Sequence, residues 1–320
     1  MNLPCDDPVK TCGSYRSSEA GLIKIQIALP EHQPLFIVGS GYWNYLKHAV
    51  SLSSPTLDLG CSYCSSLGLE RDKLPYTTID LNADLGETEG DYLGLLPLIT
   101  SANVACGGHA GGGQLLQDTI VAAIKSGVQI GAHPAYPDRA NFGRLSMRGQ
   151  LDNLVEVIAE QITVLADELA SRGQSLSHVK AHGALYNDAM VYEDIAQAII
   201  DAVSLSAAGT TVLGLPNSTL NRLCVEQGVT FVAEGFLDRA YMADGTLVPR
   251  SQVGSVLDHE SAINQVKQLV TDGYVTAFDG SALPLEIQTL CVHADTPGAA
   301  QTAGAVKALL DNLGVSVKAF

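Results

Sequence analysis

The amino-acid sequence predicts an α/β protein whose main body is a parallel (β/α) barrel, and three observations carry that prediction. Beyond Thr77, short β-rich runs alternate with stretches whose apolar residues recur every three or four positions, the pattern of βα units. Eight such runs fit into about 240 residues, the count and size of a barrel. Several runs also end on a histidine or a carboxylate, and in a barrel the strand ends share one face. An open doubly wound sheet has the same local pattern, since closure leaves no mark in a sequence.

The totals suit such a fold. Of 320 residues, 46% are apolar and only 16% charged, which describes a chain with enough apolar surface for a compact core. The formal charge is -16, almost all of it arising after residue 78, and this speaks against nucleic acid or an anionic membrane as partner. No apolar run approaches the roughly 18 to 20 residues of a membrane span, and Met1 to Ala20 lacks the apolar centre of a signal peptide. A cytoplasmic location is therefore expected. The seven cysteines are scattered without a disulfide framework, and Cys61-x-x-Cys64 has no second pair at zinc spacing, so free thiols are expected.

Residues 1 to 76 read differently from the rest. Gly21 to Leu29 alternates well enough for a strand, Pro34 to Gly39 suits a partner for it, and Ser51 to Ser66 has no sustained period. Gly39-Ser-Gly41 lacks the third glycine of a dinucleotide fingerprint. This stretch is read as an N-terminal extension of unassigned role, with the barrel occupying 77–320.

The barrel's first strand, Thr78 to Ala83, leads into three acidic or amide side chains at period two. Asp80, Asn82 and Asp84 share a face opposite Leu81, Ala83 and Leu85. Buried, that row is costly unless it holds a metal, a substrate or a hydrogen-bond network. The following strands are predicted over Ala102 to Cys106, Val128 to His133, His178 to His182, Thr211 to Leu215, Val229 to Glu234, Tyr274 to Phe278 and Thr289 to His293. Helices are predicted over Gln114 to Lys125, Leu151 to Arg172, Ile195 to Val203, Thr219 to Gln227, Glu260 to Thr271 and Ala299 to Leu313. Leu154, Ile158, Ile162 and Leu165 show the apolar stripe of such a helix. The longest irregular pieces are Pro134 to Gly149 and Gly235 to Leu257, and loops of that length in a compact domain are usually functional or mobile.

Barrel geometry gathers the scattered polar motifs into one site. Asp84 and Glu87 follow the first strand, and a glycine-rich loop running from Asn103 through His109 and Gly111 follows the second, where glycines let backbone approach a ligand. His133 and Arg139 follow the third strand, while Lys180, His182 and Asn187 belong to the fourth. Glu234, Asp238, Arg239 and Arg250 flank the sixth, and His293 and Asp295 end the chain's last predicted strand. One strand-end histidine is usually structural; His109, His133 and His182 at equivalent positions point to chemistry. Arg139, Arg144, Lys180, Arg239 and Arg250 fall on the same predicted face, where arginine's planar fork suits a carboxylate or phosphate.

These blocks, Asp80-Leu-Asn-Ala-Asp-Leu-Gly-Glu87, Cys106-Gly-Gly-His-Ala-Gly111, Gly131-Ala-His-Pro, Lys180-Ala-His-Gly-Ala-Leu-Tyr-Asn187 and Asp244-Gly-Thr-Leu-Val-Pro-Arg-Ser251, resemble the signatures of the LamB/YcsF family, the A component of bacterial-type ATP-dependent 5-oxoprolinase. The resemblance runs colinearly from about Ile79 to the C terminus and leaves residues 1 to 76 outside it. It implies a distorted (β/α) barrel of the glycoside hydrolase/deacetylase type. It also implies ATP-coupled opening of 5-oxoproline to glutamate in a complex with separate B and C subunits. Gly112 stands where the family usually has aspartate, removing a candidate ligand or base, and Ala181 where it usually has proline.

For that reaction, Asp84 or His182 is expected to activate water, with Lys180 and a histidine such as His133 stabilising developing oxyanion charge. Arg239 or Arg250 is expected to hold the substrate carboxylate, and Asn82, Glu87, His109, Gly111, Arg139, Asn187 and His293 to line the substrate site. The chain lacks a G-x-x-x-x-G-K-[ST] phosphate loop, so ATP is recognised unconventionally or through the partner subunits. Two alternatives stand beside this reading. One is a metal-dependent amide or N-acetyl hydrolase with ligands drawn from Asp84, His109, His133 and His182. The other is a non-catalytic subunit that presents a small acid to partner enzymes.

Overall fold

The computed structural model describes residues 74–320 continuously, and before them three short strands. The chain divides into two units, Met1–Arg71 and Asp72–Phe320. In the first, β1 (Gly13–Ser17), β2 (Ile23–Ile27) and β3 (Leu35–Val38) form an antiparallel sheet in that order. The expected pairing of the two β-rich runs is the β2–β3 ladder, with Lys24 opposite Val38 and Ile27 opposite Leu35. Ser51 to Ser66 and Cys61-x-x-Cys64 lie outside the described residues.

The second unit is a closed parallel barrel. Strands β4 (Thr78–Leu85), β5 (Ser101–Ala105), β6 (Gln129–His133), β7 (His178–Lys180), β8 (Thr211–Gly214) and β9 (Phe231–Phe236) pair in sequence. The staves close when β12 (Thr289–His293) pairs with β9 on one side and with β4 on the other, Thr289 facing Asp80 and His293 facing Asp84. The pairing of β12 with β4 rules out the open sheet. The short β13 (Ser316–Val317) lies parallel to the first residues of β4.

The barrel therefore has seven strands, not the eight expected. Tyr274 to Phe278 contains β10 (Tyr274–Thr276), but this strand makes an antiparallel hairpin with β11 (Ala282–Pro284) outside the barrel. The physical reason is that β12 already occupies both open edges, so no ladder is left for another stave.

Helices α1 (Gly113–Ser126), α2 (Leu154–Ala170), α3 (Gly183–Val191), α4 (Glu193–Ser206), α5 (Thr219–Gln227), α6 (His259–Asp272) and α7 (Ala299–Leu313) surround the barrel. Sequence chemistry sets their ends. Ser218 and Asp258 accept the amides of Asn221 and Ser261 as N-caps, and Gly127, Gly228, Gly273 and Gly314 stop four helices in the left-handed conformation. The predicted stripe on α2, Leu154, Ile158, Ile162 and Leu165, is buried. Burying each such side chain stabilises by about 1.5–3 kcal/mol.

Period two on β4 sorts the strand as expected. Ile79, Leu81, Ala83 and Leu85 join the apolar core, and Asp80, Asn82 and Asp84, each at most 4% exposed, turn to the barrel interior. One ladder is short: β6 and β7 share a single register pair, Ala132 with Val179, where β5 and β6 share five, and backbone hydrogen bonds from Ser177 to Ile130 and from His182 to Pro134 continue it on either side. There the His178 ring reaches across onto Gly131, where an added Cβ would stand 2.1 Å from its Nε2.

Candidate functional site

The barrel interior is polar from floor to mouth. On the floor Asp80 accepts hydrogen bonds from Thr100 (2.5 Å), Ser101 (2.8 Å) and Thr289. Above it the amides are oriented in one direction. Asn82 Nδ2 donates to Glu234 Oε1 (3.0 Å) and Thr289 Oγ1 (2.7 Å), while Asn103 Nδ2 donates to Asn82 Oδ1 (2.7 Å) and Asp84 Oδ1 (2.8 Å). Asn103 Oδ1 in turn faces His178 Nε2 at 2.7 Å, which assigns the hydrogen to Nε2. Burial holds His178 near a pKa of about 3, so it is neutral.

Lys180 completes this network. Its Nζ lies 2.8 Å from Asp84 Oδ1, 2.9 Å from Glu234 Oε1 and 3.0 Å from Cys291 Sγ. Burial works against its charge, but the flanking acidic groups prevail and raise its pKa well above the ordinary lysine value. Burial likewise raises Asp84, yet His133 and Lys180 outweigh it and hold the carboxyl well below its usual range. Asp84 is thus ionised, with Oδ1 committed and Oδ2 3.4 Å from His133 Nε2.

At the mouth four donor atoms converge: Glu87 Oε1, His109 Nε2, His133 Nε2 and His182 Nδ1, all within 4.8 Å of one another. Glu87 Oε1 is 3.0 Å from His109, 3.1 Å from His182 and 3.9 Å from His133. The far nitrogens fix the tautomers. His133 Nδ1 faces the Lys180 carbonyl at 2.8 Å, and His182 Nε2 faces the Phe142 carbonyl at 2.9 Å, so in the neutral rings those nitrogens carry the hydrogens. His133 Nε2 and His182 Nδ1 are then two lone pairs facing each other at 3.0 Å beside a carboxylate. Burial also lowers the pKa of His182, and brings His109 down to about 4, so neither ring readily supplies a proton to relieve the crowding. Acceptors packed against acceptors in a buried site fit a cation, and imidazole with carboxylate suits a divalent transition ion such as zinc. Glu87, rather than the expected Asp84, completes this set with the three histidines.

The loops hold these groups in place. Asp91 accepts the backbone amides of Gly86 (3.0 Å), Glu87 (2.8 Å) and Thr88 (3.0 Å), fixing the turn that presents Glu87. Gly111, at φ +73°, passes so close to the Ala105 carbonyl that a Cβ would lie 2.5 Å from it. Arg139 donates to the Gly107 and Gly111 carbonyls at 2.9 and 3.2 Å, pinning the His109 loop.

Across the mouth His293 Nδ1 lies 2.9 Å from Asp238 Oδ1, and Thr296 Oγ1 donates to Asp238 Oδ2 at 2.8 Å. The ring stacks on Phe236, leaving Nε2 4.0 Å from Asp84 Oδ2. A cavity of about 450 Å³ lies among these groups. Of the residues expected at the site, Asp84, Glu87, His133, Lys180, His182, Asn187, Arg239, Arg250 and His293 line it. His109 stands just behind, its ring stacked 3.6 Å from that of His182. Asn82, Gly111 and Arg139 are not among the lining residues: Asn82 is sealed in the interior, and the other two shape a loop. Sequence reasoning singles out Glu234, Asp238 and Asp295 without giving them roles and misses Asp91, whose partners are backbone amides that leave no motif.

A closed parallel barrel carrying a carboxylate–histidine cluster and a histidine–aspartate pair at its mouth defines a (β/α)-barrel protein with a hydrolase-type site. The LamB/YcsF profile matches residues 79–320, and the chain belongs to that family. The 5-oxoprolinase A component of Streptomyces coelicolor is 43% identical over 248 residues, covering 76% of this chain and 99% of the relative. That of Pyrococcus furiosus is 42% identical over 245 residues, covering 75% and 96%. Among solved structures, a lactam utilization protein from Thermus thermophilus superposes with a TM-score of 0.70 at 37% identity, covering 76% of this chain and all of that one (100%). Among the described residues no helix is long and apolar enough to cross a membrane.

Proposed function

We propose that this chain is the lactam-opening component of a cytoplasmic, ATP-dependent 5-oxoprolinase that works with separate partner subunits. The relatives named as 5-oxoprolinase A components support assignment to such an assembly, and the observation that carries the chemistry is the Asp238–His293 pair facing Asp84 across the cavity.

In this reading water adds to the ring carbonyl carbon, the ring C–N bond breaks, and the nitrogen leaves as the amino group of glutamate. His293 Nε2 takes the proton from water and returns it to the departing nitrogen; Asp238 fixes the ring by accepting its Nδ1–H. Asp84 is a weak base because it is held ionised, and it orients the attacking water through Oδ2. Lys180 keeps Asp84 charged and adds positive potential beneath the developing oxyanion. A divalent ion held by Glu87, His109, His133 and His182 would supply Lewis acidity to the carbonyl oxygen. Asn187 and the arginines at the rim face the rest of the substrate. ATP drives the opening by passing its γ-phosphoryl group to the lactam oxygen as ADP leaves; ring opening then gives a γ-glutamyl phosphate that a second water splits into glutamate and phosphate, with ATP binding shared with the partner subunits.

Coexpression with candidate B and C subunits, followed by glutamate release dependent on both ATP and 5-oxoproline, tests the reading. In that complex His293→Ala should lower kcat by about 10²–10⁴-fold, the usual worth of a positioned acid–base group. Wild-type turnover by the variant removes the assignment.

A further inference from the structure

The three arginines lining the cavity are not equivalent. Arg239 is 5% exposed, and its guanidinium donates to the backbone carbonyls of Ser255 (3.1 Å) and Val248 (2.6 Å). Its donors hold the loop after β9 together. Arg144 and Arg250, by contrast, have side chains 40% and 30% exposed, and among the described residues Asp295 is the only carboxylate either one pairs with. Both converge on the same oxygen, Asp295 Oδ2, at 2.5 and 3.6 Å. Two guanidiniums sharing one oxygen leave most of their donors unused, although the arginine fork is suited to a whole carboxylate.

The charge balance at the rim agrees. Arg144 and Arg250 share the single carboxylate of Asp295, a local excess of one positive charge in a chain whose net charge is -16. That excess suits a monoanion. Arg144 comes from the loop after β6, Arg250 from the loop after β9 and Asp295 from the end of β12, so one carboxylate ties three loops over the cavity.

We propose that Arg144 and Arg250 form the subsite for a ligand carboxylate and that Asp295 is its built-in stand-in, displaced when an anionic ligand binds. Asp295 thereby sets the threshold for acidic over neutral ligands, since only an anion can replace what it gives up. The inference rests on the proposed lactam-acid substrate only for the ligand's identity; the subsite itself requires just a small carboxylate.

Calorimetry on the full chain at low salt, with 5-oxoproline, propionate and the uncharged ring 2-pyrrolidinone as probes, tests it. An exposed pair of this kind corresponds to about a two- to fivefold effect on affinity. Asp295→Asn should tighten 5-oxoproline and propionate by that factor and leave 2-pyrrolidinone unchanged, and Arg144→Gln and Arg250→Gln should weaken the two acids alone. Unchanged or weaker acid binding in Asp295→Asn, equal loss for acids and neutral ring, or no carboxylate binding to either protein overturns the proposal. If propionate responds as expected but the assembled complex never opens 5-oxoproline, the subsite stands and the proposed reaction falls.

Discussion

Replacing Lys180 with methionine isolates the electrostatic heart of the barrel. The ammonium sits 2.8 Å from Asp84 and 2.9 Å from Glu234, and the three side chains are 2%, 6% and 0% exposed. Methionine fills much of the same volume, so the lost term is the cation and not a cavity. Removing one partner of a buried ion pair costs about 3–5 kcal/mol, and for a barrel of this size that lowers Tm by roughly 6–20 °C. The pH dependence gives the sharper test. In the wild type the Asp84 carboxyl is held below its unfolded value, so its stabilising contribution is present above the unfolded pKa and fades as pH falls. Without Lys180 that depression weakens, and taking up a proton relieves two buried acids, so the gap between wild type and Lys180→Met should narrow from pH 8 to pH 5. A second substitution, Glu234→Gln, removes one of the two acids and should recover part of the loss. Urea titrations of the four proteins measure this. A loss under about 1 kcal/mol, or a gap that ignores pH, would refute the claim that Lys180 is the counter-charge of Asp84.

Other expectations follow from single contacts. Burial depresses His178 from 6.5 to about 3, so stability is full above pH 6.5 and is lost as pH falls toward 3; His178→Gln should flatten the acid limb by up to about 1.4 kcal/mol per pH unit in denaturant titrations. Gly131→Ala would push a Cβ to 2.1 Å from the His178 ring and should destabilise by about 1–3 kcal/mol in thermal melts. Protein purified without chelator should bind a divalent ion, read by elemental analysis, and Glu87→Gln or His133→Ala should remove it. Asp91→Ala, which frees the turn under Glu87, should weaken that binding by about 10–100-fold in a competition titration, as loss of an outer partner usually does.

The barrel was legible because β4 states its geometry openly: polar residues at period two cannot lie on the core face, and the structure puts Asp80, Asn82 and Asp84 inside the staves. Tyr274 to Phe278 misled because strand propensity says nothing about which ladder a strand joins, and this one joined a hairpin. Helix α3 escaped notice because Ala184, Leu185, Tyr186, Ala189 and Met190 are buried on most of its sides, leaving no amphipathic stripe to read. Five of the strand-end motifs do supply side chains to one cavity, as the barrel argument requires. What stayed hidden were partnerships: that Glu234 shares Lys180 with Asp84, that Asp238 aims His293, and that Asp295 joins two arginines. Each joins residues from 45 to 151 positions apart, or turns on which oxygen faces which proton, and neither leaves a local pattern.

The short β6–β7 ladder, one register pair flanked by the Ser177–Ile130 and His182–Pro134 backbone hydrogen bonds, lies directly beneath the mouth. His133 finishes one stave and His182 follows the other, so the two imidazoles stand on either side of that ladder. An ion clasped between them would act as a rivet, and its binding would stabilise the closed ladder. Amide protons along 129–133 and 178–180 that exchange by opening this ladder should then exchange more slowly as the free ion concentration rises above its dissociation constant.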